Sequence, residues 1–345
     1  MSALLKHRLF WPLLALLVLL LSNLLFTPGF FTVELRQGHL YGSLIDILRL
    51  SAPLILVALG MTLVIATGGI DLSVGSVMAV SGALACLFIV NQPDQGALST
   101  VLPACALGVG LAIVLGAWNG FLVAVVGLQP IIATLILMVA GRGLAQLITE
   151  GQIITVNSPA YRFIGAGYWL TFPFAVIIAA AVVALTVLLT RRTALGMLVE
   201  LVGGNPRASR LAGISSRKLT WGIYAFTGFC AGIAGLMATA NVSSADGNAV
   251  GSLIELNAIL AVVIGGTSLA GGRFSIAGTV IGALLIQTLD TTIYTTGIPA
   301  ETTQLFKALV VIVICLVQSP TFRSKLARLR RRPRPALAAP VNAEV

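Results

Sequence analysis

Long uncharged apolar stretches constrain this chain more than any other feature. Only 9% of its 345 residues are charged, against roughly 25% in a soluble domain. Six stretches without Asp, Glu, Lys or Arg reach the ~20 residues that a helix needs to cross a bilayer. They cover residues 9 to 33, 50 to 70, 72 to 93, 95 to 141, 163 to 190 and 219 to 245. The pattern predicts an all-α, polytopic membrane helix bundle.

Dividing these stretches at turn residues predicts about ten transmembrane helices. The run from Gln95 to Gly141 is long enough for two spans, and Gly127 to Pro130 supplies the reversal between them. Small residues recur at helix-packing spacing, as in Gly108, Gly116 and Gly120 or Gly228, Gly232 and Gly235. The expected spans lie near residues 9–26, 47–66, 74–91, 101–126, 130–149, 172–190, 219–240, 254–271, 274–293 and 303–319.

Basic residues predict the orientation of the bundle. With the N-terminus inside, sixteen of the 21 Lys and Arg residues fall on the cytoplasmic side. This predicts a cytoplasmic N-terminus at 1–8, a transmembrane domain at 9–319, and a cytoplasmic tail at 320–345 that is basic, Pro/Ala-rich and disordered. The confinement of the +10 net charge to loops and tail argues against nucleic-acid binding.

Two segments rich in glycine interrupt the apolar pattern, near residues 67–75 and 264–272. With an offset of 197, residues 59–75 and 256–272 share six identities in seventeen positions, which hints at an internal repeat. Broken helices in transporters often flank the substrate path, and tight cytoplasmic turns are the alternative. The candidate gate residues are Gly68, Gly69, Gly75, Gly265 and Gly266.

Polar side chains inside the predicted spans are candidates for a translocation path. Amides, carboxylates and guanidinium groups suit hydroxyl-rich solutes, but such residues also join neighbouring helices by hydrogen bonds. Arg142 and Asp290 could instead extend to the periplasmic interface. The candidates are Asp71, Asn119, Gln129, Thr134, Arg142, Gln146, Gln287 and Asp290.

The segment 191–218 is the one sizeable loop expected on the cytoplasmic side, so a cytoplasmic partner would have to use it. Within it, residues 205–213 predict a short helix capped by Asn205, with Pro206 in the first turn and Gly213 after the end. An amphipathic helix lying on lipid is the alternative. None of the four lysines follows a glycine, so the chain has no phosphate-binding loop and needs an external energy source.

No metal site or disulfide is expected. The four cysteines lie within apolar stretches, without ligand-like spacing and without a neighbouring histidine.

Several motifs resemble the permeases of the ribose, xylose and galactose class of ATP-binding-cassette (ABC) sugar transporters. The stretch from Gly60 to Ser76 is similar to the hallmark of that family. Further similar blocks are Trp118–Gly120, Ile132–Leu135, Gly141–Gly143 and Ala261–Leu269. Within the family, Leu40–Leu48 and Gly143–Thr149 are most similar to permeases of galactofuranose importers.

The resemblance implies a non-enzymatic subunit that translocates a monosaccharide, such as galactofuranose or ribose, across a bacterial inner membrane. Its implied partners are a second permease subunit, identical or similar, a cytoplasmic ABC ATPase that carries ATP and Mg²⁺, and a periplasmic sugar-binding protein. No cofactor is expected in this chain. The resemblance also implies that the 205–213 helix couples ATP hydrolysis to the gate. The coupling candidates are Glu200, Gly203, Asn205, Pro206, Arg207, Ala208, Arg210, Leu211 and Gly213.

Two other classes of function fit the sequence less well. An ion-coupled secondary sugar transporter would suit the broken helices, but acidic residues deep in the spans are scarce. A membrane-embedded enzyme is disfavoured because no span combines Ser with His, His with Glu, or two carboxylates.

Overall fold

A computed structural model describes residues 9–36 and 38–297, together with residues 302, 304, 305, 307–309, 311, 312 and 316. The predicted N-terminal segment 1–8 and the tail 320–345 lie outside the described residues. The helices of the continuous part are α1 Phe10–Phe26, α2 Ser43–Ala66, α3 Val74–Val90, α4 Leu98–Phe121, α5 Pro130–Ile148, α6 Pro159–Ala166, α7 Phe174–Arg192, α8 Leu195–Gly204, α9 Pro206–Leu211, α10 Ser216–Val242, α11 Ile254–Ile264 and α12 Ile276–Thr295.

Six of the described helices are long and apolar enough to cross a membrane. They are α2, α4 with its π-helical extension Leu122–Val126, α5, α7, α10 and α12. The chain is therefore a multi-pass helical membrane protein. The other expected spans correspond to the shorter apolar helices α1, α3 and α11, and to the partly described residues 302–316, whose described members are helical. The predicted total of ten spans and the predicted orientation stay predictions.

Helices α2 and α10 form the centre of the bundle. Their apolar windows are 78% and 72% buried, whereas those of α4, α5 and α7 are 22–28% buried. The glycines of α10 explain its close contacts, because a Cβ at Gly228 would overlap the Ala112 carbonyl of α4 and one at Gly235 would overlap the Met78 carbonyl of α3. The predicted role of the small residues in tight helix packing is confirmed here.

Short strands and one small helix gather at one end of the bundle. Three antiparallel pairs join β1 Glu34–Arg36 with β2 His39–Tyr41, β3 Ile154–Thr155 with β6 Ser244–Ala245, and β4 Tyr168–Trp169 with β5 Phe172–Pro173. These strands precede α2 and α7 and follow α5 and α10, so they share one end with α6. Helices α8 and α9, between α7 and α10, lie at the other end.

Three details differ from the sequence-based expectations. The span expected at 254–271 stops at Ile264, because its last residues belong to the second glycine-rich segment. Gly75 lies in the first turn of α3 and outside the irregular part of the first segment, which covers residues 67–73. The loop 191–218 contains the apolar helix α8, which the sequence analysis missed because its ten residues were too few to show a span.

Candidate functional site

The first irregular segment, residues 67–73, is called the first break here. It begins where α2 ends: the Gly68 amide donates to the Ile65 carbonyl at 2.9 Å and the Gly69 amide donates to the Val64 carbonyl at 3.0 Å. Gly68 has a φ of +85°, a conformation that side chains disfavour and glycine adopts freely. The glycine pair therefore stops α2 and turns the chain out of the helix.

A buried polar cluster surrounds the rest of the first break. Asp71 is 2% exposed, and its Oδ1 accepts hydrogen bonds from the Ser73 amide at 2.9 Å and the Ser73 hydroxyl at 2.6 Å. Asn119 of α4 donates through Nδ2 to Ser73 Oγ at 2.8 Å. Thr134 of α5 donates to the carbonyls of Pro130 at 2.9 Å and Ile70 at 3.3 Å. Three of the predicted path residues, Asp71, Asn119 and Thr134, thus meet at one place.

Two polar atoms of this region lack a partner. The Asn119 Oδ1 and the Tyr224 hydroxyl are buried without a hydrogen bond within the described part of the chain. The Tyr224 hydroxyl lies beside Gly69, where a Cβ would be 2.8 Å away from it. An unpaired buried polar group costs about 1–3 kcal/mol, so two of them beside Asp71 call for a functional explanation.

A second polar cluster adjoins the first through α3. Arg142 of α5 donates through Nη1 to the carbonyls of Gly247 at 3.0 Å, Asn248 at 3.2 Å and Val250 at 2.7 Å. Gln146, one turn further along α5, donates to Asn248 Oδ1. Arg142 therefore satisfies backbone carbonyl groups of the irregular segment between β6 and α11. This role differs from the predicted extension of its side chain to the periplasmic interface.

Glu255 completes the second cluster. It is 6% exposed, lies in the first turn of α11, and its Oε2 would be 2.6 Å from a Cβ at Gly75. A Cβ at Gly75 would also overlap the Gly251 carbonyl, so Gly75 is required for this close approach of α3 and α11. The two carboxylates Asp71 and Glu255 therefore flank the start of α3.

Several members of the two clusters were not predicted from the sequence. Glu255, Ser73, Tyr224 and Asn248 were not among the path candidates. Charge was a usable signal for Glu255, because it is the one charged residue of the apolar helix α11. The other three have no distinctive spacing.

The second irregular segment, residues 265–275, is called the second break. The Gly266 amide donates to the Val263 carbonyl at 2.9 Å and the Thr267 amide donates to the Val262 carbonyl at 3.2 Å. Gly266 has a φ of +85°. These hydrogen bonds correspond to those of Gly68 and Gly69 with an offset of 198 residues. This is one residue more than the offset of 197 at which the two sequences share six identities. The suggested repeat thus exists as a shared way of ending α2 and α11.

Helix α8 touches the end of α2 and the second break. A Cβ at Gly203 would overlap the Ala66 carbonyl at the end of α2 and would lie 2.6 Å from the Gly272 amide in the second break. The Gly272 amide itself donates to the Ala66 carbonyl at 2.8 Å. Gly203 is therefore held against the point where a hydrogen bond joins the second break to the end of α2.

Helix α9 has the predicted ends. Asn205 Oδ1 accepts a hydrogen bond from the Ala208 amide at 3.0 Å, Pro206 occupies the first position, and Gly213 has a φ of +79°. Leu211 is 91% exposed, and Glu200, Arg207, Ala208 and Arg210 are also exposed. The short helix is confirmed, and its exposed face at the end of the bundle is available to a partner.

The remaining path candidates lie elsewhere. Gln129 is exposed at the start of α5. Asp290 forms an ion pair with Lys307 at 2.6 Å, and Lys307 also donates to Asn257 Oδ1 at 3.5 Å. Gln287 lies one turn before Asp290 on α12, half-buried. The predicted path residues therefore do not form a single site.

A search of the described residues finds no group of three or more His, Cys, Asp or Glu side chains that could hold a metal ion.

Comparisons with known proteins agree on one family. The profile described as "Branched-chain amino acid transport system / permease component" matches residues 43–315. The chain is 50% identical to the galactofuranose transporter permease protein YtfT of Escherichia coli K12, over 95% of this chain and 96% of the relative. It is 46% identical to the fructose import permease protein FruF of Bifidobacterium longum, over 95% and 92% of the two chains.

A third relative is more distant. The ribose import permease protein RbsC of Haemophilus influenzae is 36% identical, over 91% of this chain and 94% of the relative. No solved structure matches the chain. The family profile takes its description from amino-acid transport, but the three relatives named here are all sugar permeases. The resemblance inferred from the sequence motifs is thereby confirmed, and the chain belongs to the sugar-permease branch of this ABC permease family.

Proposed function

We propose that the chain is the membrane-spanning subunit of an ATP-driven importer that carries a monosaccharide, galactofuranose or a similar sugar, across a bacterial inner membrane. The names of the relatives at 50% and 46% identity support this class of substrate. The proposed orientation places both termini and helices α8 and α9 in the cytoplasm, in accordance with the distribution of basic residues.

The proposed partners follow from what the chain lacks and from its family. No phosphate-binding loop is encoded, so a separate ABC ATPase would bind ATP and Mg²⁺ and dock on the exposed face of α9. A second permease subunit, identical or similar, would complete the pathway. A periplasmic binding protein would deliver the sugar to the end of the bundle that carries the strands.

The contact of Gly203 with the end of α2 and with the second break is the observation that carries the proposal. Helix α9 is joined to α8 through Asn205, and α8 contacts the end of α2 and Gly272 in the second break. A displacement of α9 by the ATPase would therefore reach both interrupted helices through one rigid contact. Packed backbone contacts without an intervening side chain transmit such movements with little loss.

The polar clusters at the start of α3 are the proposed sugar pathway. Asp71 and Glu255 can accept hydrogen bonds from sugar hydroxyls, and the unpaired Asn119 Oδ1 offers a further acceptor. Arg142 and Gln146 are already bonded to residues 247–250, and we assign them to holding this irregular segment in place. Since the binding protein supplies affinity, the pathway needs only a few such groups.

Uptake by the Gly203→Ala and Gly204→Ala variants tests the coupling contact. A Cβ at Gly203 would overlap backbone atoms, whereas a Cβ at Gly204 would meet nothing within 4 Å. Uptake of labelled sugar, measured in cells that express all partner subunits, should fall at least about tenfold for Gly203→Ala, a loss equivalent to ~1.4 kcal/mol. It should stay near wild type for Gly204→Ala.

The amount of each variant in the membrane, measured by immunoblot, separates lost coupling from lost protein. Undiminished uptake by Gly203→Ala, at equal membrane levels, contradicts the proposed coupling route. In vesicles loaded with ATP or energised only by an ion gradient, the importer should work with ATP alone. Uptake that follows the gradient would instead identify an ion-coupled transporter.

A further inference from the structure

A cavity of about 160 Å³ lies between the first break and helices α8, α9 and α10. Thr67, Gly68 and Gly69 form one wall, and Pro206 and Arg210 of α9 form another. The cavity is at the end of the bundle that carries α8 and α9, away from the strands. It is separate from the sugar pathway proposed above, because Asp71 does not line it.

The charge of the lining is positive. Arg210 and Arg217 both line the cavity, and none of the lining residues is an Asp or Glu. Arg210 donates through Nε to Ser216 Oγ at 3.4 Å, which holds its guanidinium at the start of α10. Arg217 has no hydrogen bond or ion pair to the described part of the chain. Two guanidinium groups with free donors match the oxygens of a phosphate better than a neutral sugar.

Hydroxyl groups provide the remaining donors. Thr67, Ser216 and Thr220 line the cavity together with Tyr224. Tyr224 is 0% exposed, and within the described part of the chain its buried hydroxyl, at the wall formed by Gly69, has no hydrogen-bond partner. A buried hydroxyl donor left unpaired in this way indicates an acceptor from outside the chain.

Two helix N-termini also face this region. Pro130 at the start of α5 and Ser216 at the start of α10 both line the cavity. Neither helix has a side-chain cap on its first amides. The positive end of a helix dipole favours a nearby anion.

We propose that this cavity binds a phosphate group, held by Arg210, Arg217 and the Tyr224 hydroxyl. The phosphate belongs to a soluble phosphomonoester of the cytoplasm or to the headgroup of an anionic lipid. Because the ligand would join α9, α10 and the first break, its binding restrains the elements through which the ATPase is proposed to open the gate.

Calorimetric titration of the full chain in phosphatidylcholine nanodiscs tests the site, with inorganic phosphate and ribose 5-phosphate as probes. Wild type should bind at least one of them. The Arg210→Gln/Arg217→Gln double variant should bind at least about tenfold more weakly, since each charged hydrogen bond contributes about 1.5–3 kcal/mol. Tyr224→Phe keeps the ring and should weaken binding about two- to tenfold.

Arg207→Gln is the matched control. Arg207 is exposed on α9, the helix of Arg210, but it does not line the cavity. Its binding should equal wild type. A second set of nanodiscs that contain phosphatidylglycerol distinguishes the sources. Loss of soluble-phosphate binding there identifies the lipid headgroup as the occupant, and unchanged binding identifies the soluble ester; both support the site.

Failure to bind either probe in phosphatidylcholine nanodiscs overturns the proposal. Equal weakening by Arg207→Gln overturns it as well, because the effect would then be one of general surface charge. The titration needs no ATPase and no sugar, so its result is independent of whether the proposed import function is correct.

Discussion

The two breaks end their helices in the same way but lie in different surroundings. In both, a glycine has a φ of +85°, and the amide of the next residue donates a hydrogen bond to a carbonyl of the preceding helix. In the first break Gly69, Asp71 and Ser73 are buried among α4, α5 and α10, whereas in the second break Ser268, Leu269 and Ala270 are exposed. Local sequence determines the cap, and the neighbouring helices determine whether the segment that follows is buried.

The difference suggests a division of roles. The first break has the buried carboxyl group of Asp71 and lies beside the unpaired Asn119 Oδ1, so we assign the sugar to it. The second break presents its loop at the bundle end and contacts α8 through Gly272, so we assign it to the transmission of movement. Each prediction below compares residues of the two breaks or of the helices next to them.

The largest expected effect is on transport, from Asp71→Asn. The substitution keeps the size of the side chain but replaces the carboxyl group that accepts two hydrogen bonds from Ser73 with an amide. Uptake of labelled sugar should fall at least about tenfold, because the carboxyl group offers two acceptor oxygens and the amide only one. Ser268→Ala, at an exposed position of the second break, should leave uptake within about twofold of wild type. Equal losses for the two variants would remove the distinction between the breaks.

A smaller effect, on stability, is expected from Gly265→Ala. A Cβ at Gly265 would lie 2.6 Å from the Thr279 amide and would overlap the backbone of Gly278, so α12 must move away from α11. Overpacking of this kind costs about 1–3 kcal/mol. The structurally equivalent residue of the first break is Thr67, which already has a side chain.

Thr67→Ala serves as the matched variant for that measurement. It removes a hydroxyl that donates to the Val64 carbonyl at 2.8 Å and should cost at most about 1 kcal/mol. Thermal unfolding of both variants in detergent gives the order of the two effects. A midpoint for Gly265→Ala at or above that of Thr67→Ala would show that α11 and α12 are not held in close backbone contact.

The smallest expected effect concerns the link between the helices next to the breaks. Thr62 of α2 and Thr279 of α12 share a hydrogen bond of 2.7 Å between their hydroxyls, fully buried. Hydrogen bonds between membrane helices contribute about 0.6 kcal/mol on average. A double-mutant cycle of Thr62→Val and Thr279→Val, measured by unfolding, should give a coupling energy of about that size. A coupling energy indistinguishable from zero would mean that this hydrogen bond does not hold α2 against α12.

Much of the architecture could be predicted because lipid imposes it. Uncharged runs predicted the long helices, Gly127 and Pro130 predicted the reversal before α5, and Asn205 predicted the start of α9. Each of these signals acts over a few neighbouring residues. Helix α8 was not predicted, because a run of ten apolar residues is compatible with a loop, the end of a span or a short helix.

The site was predicted only in part for a related reason. Asp71, Asn119 and Thr134 were selected as polar residues in apolar surroundings, and the structure brings them together. The same criterion also selected Gln129 and Asp290, which lie apart from that cluster. A polar residue inside a span needs a hydrogen-bond or ion-pair partner, but the sequence does not indicate which partner the fold supplies.

The sequence by itself determined the lipid solvent, the places where the chain leaves the helix, and the family. Hydrophobicity, glycine conformation and capping are local properties, so the printed sequence contains them. Only the tertiary structure decided that Gly203 contacts the end of α2 and the second break, that Glu255 lies beside Gly75, and that the Tyr224 hydroxyl has no hydrogen-bond partner among the described residues. These contacts join residues far apart along the chain, and close backbone packing between helices selects them.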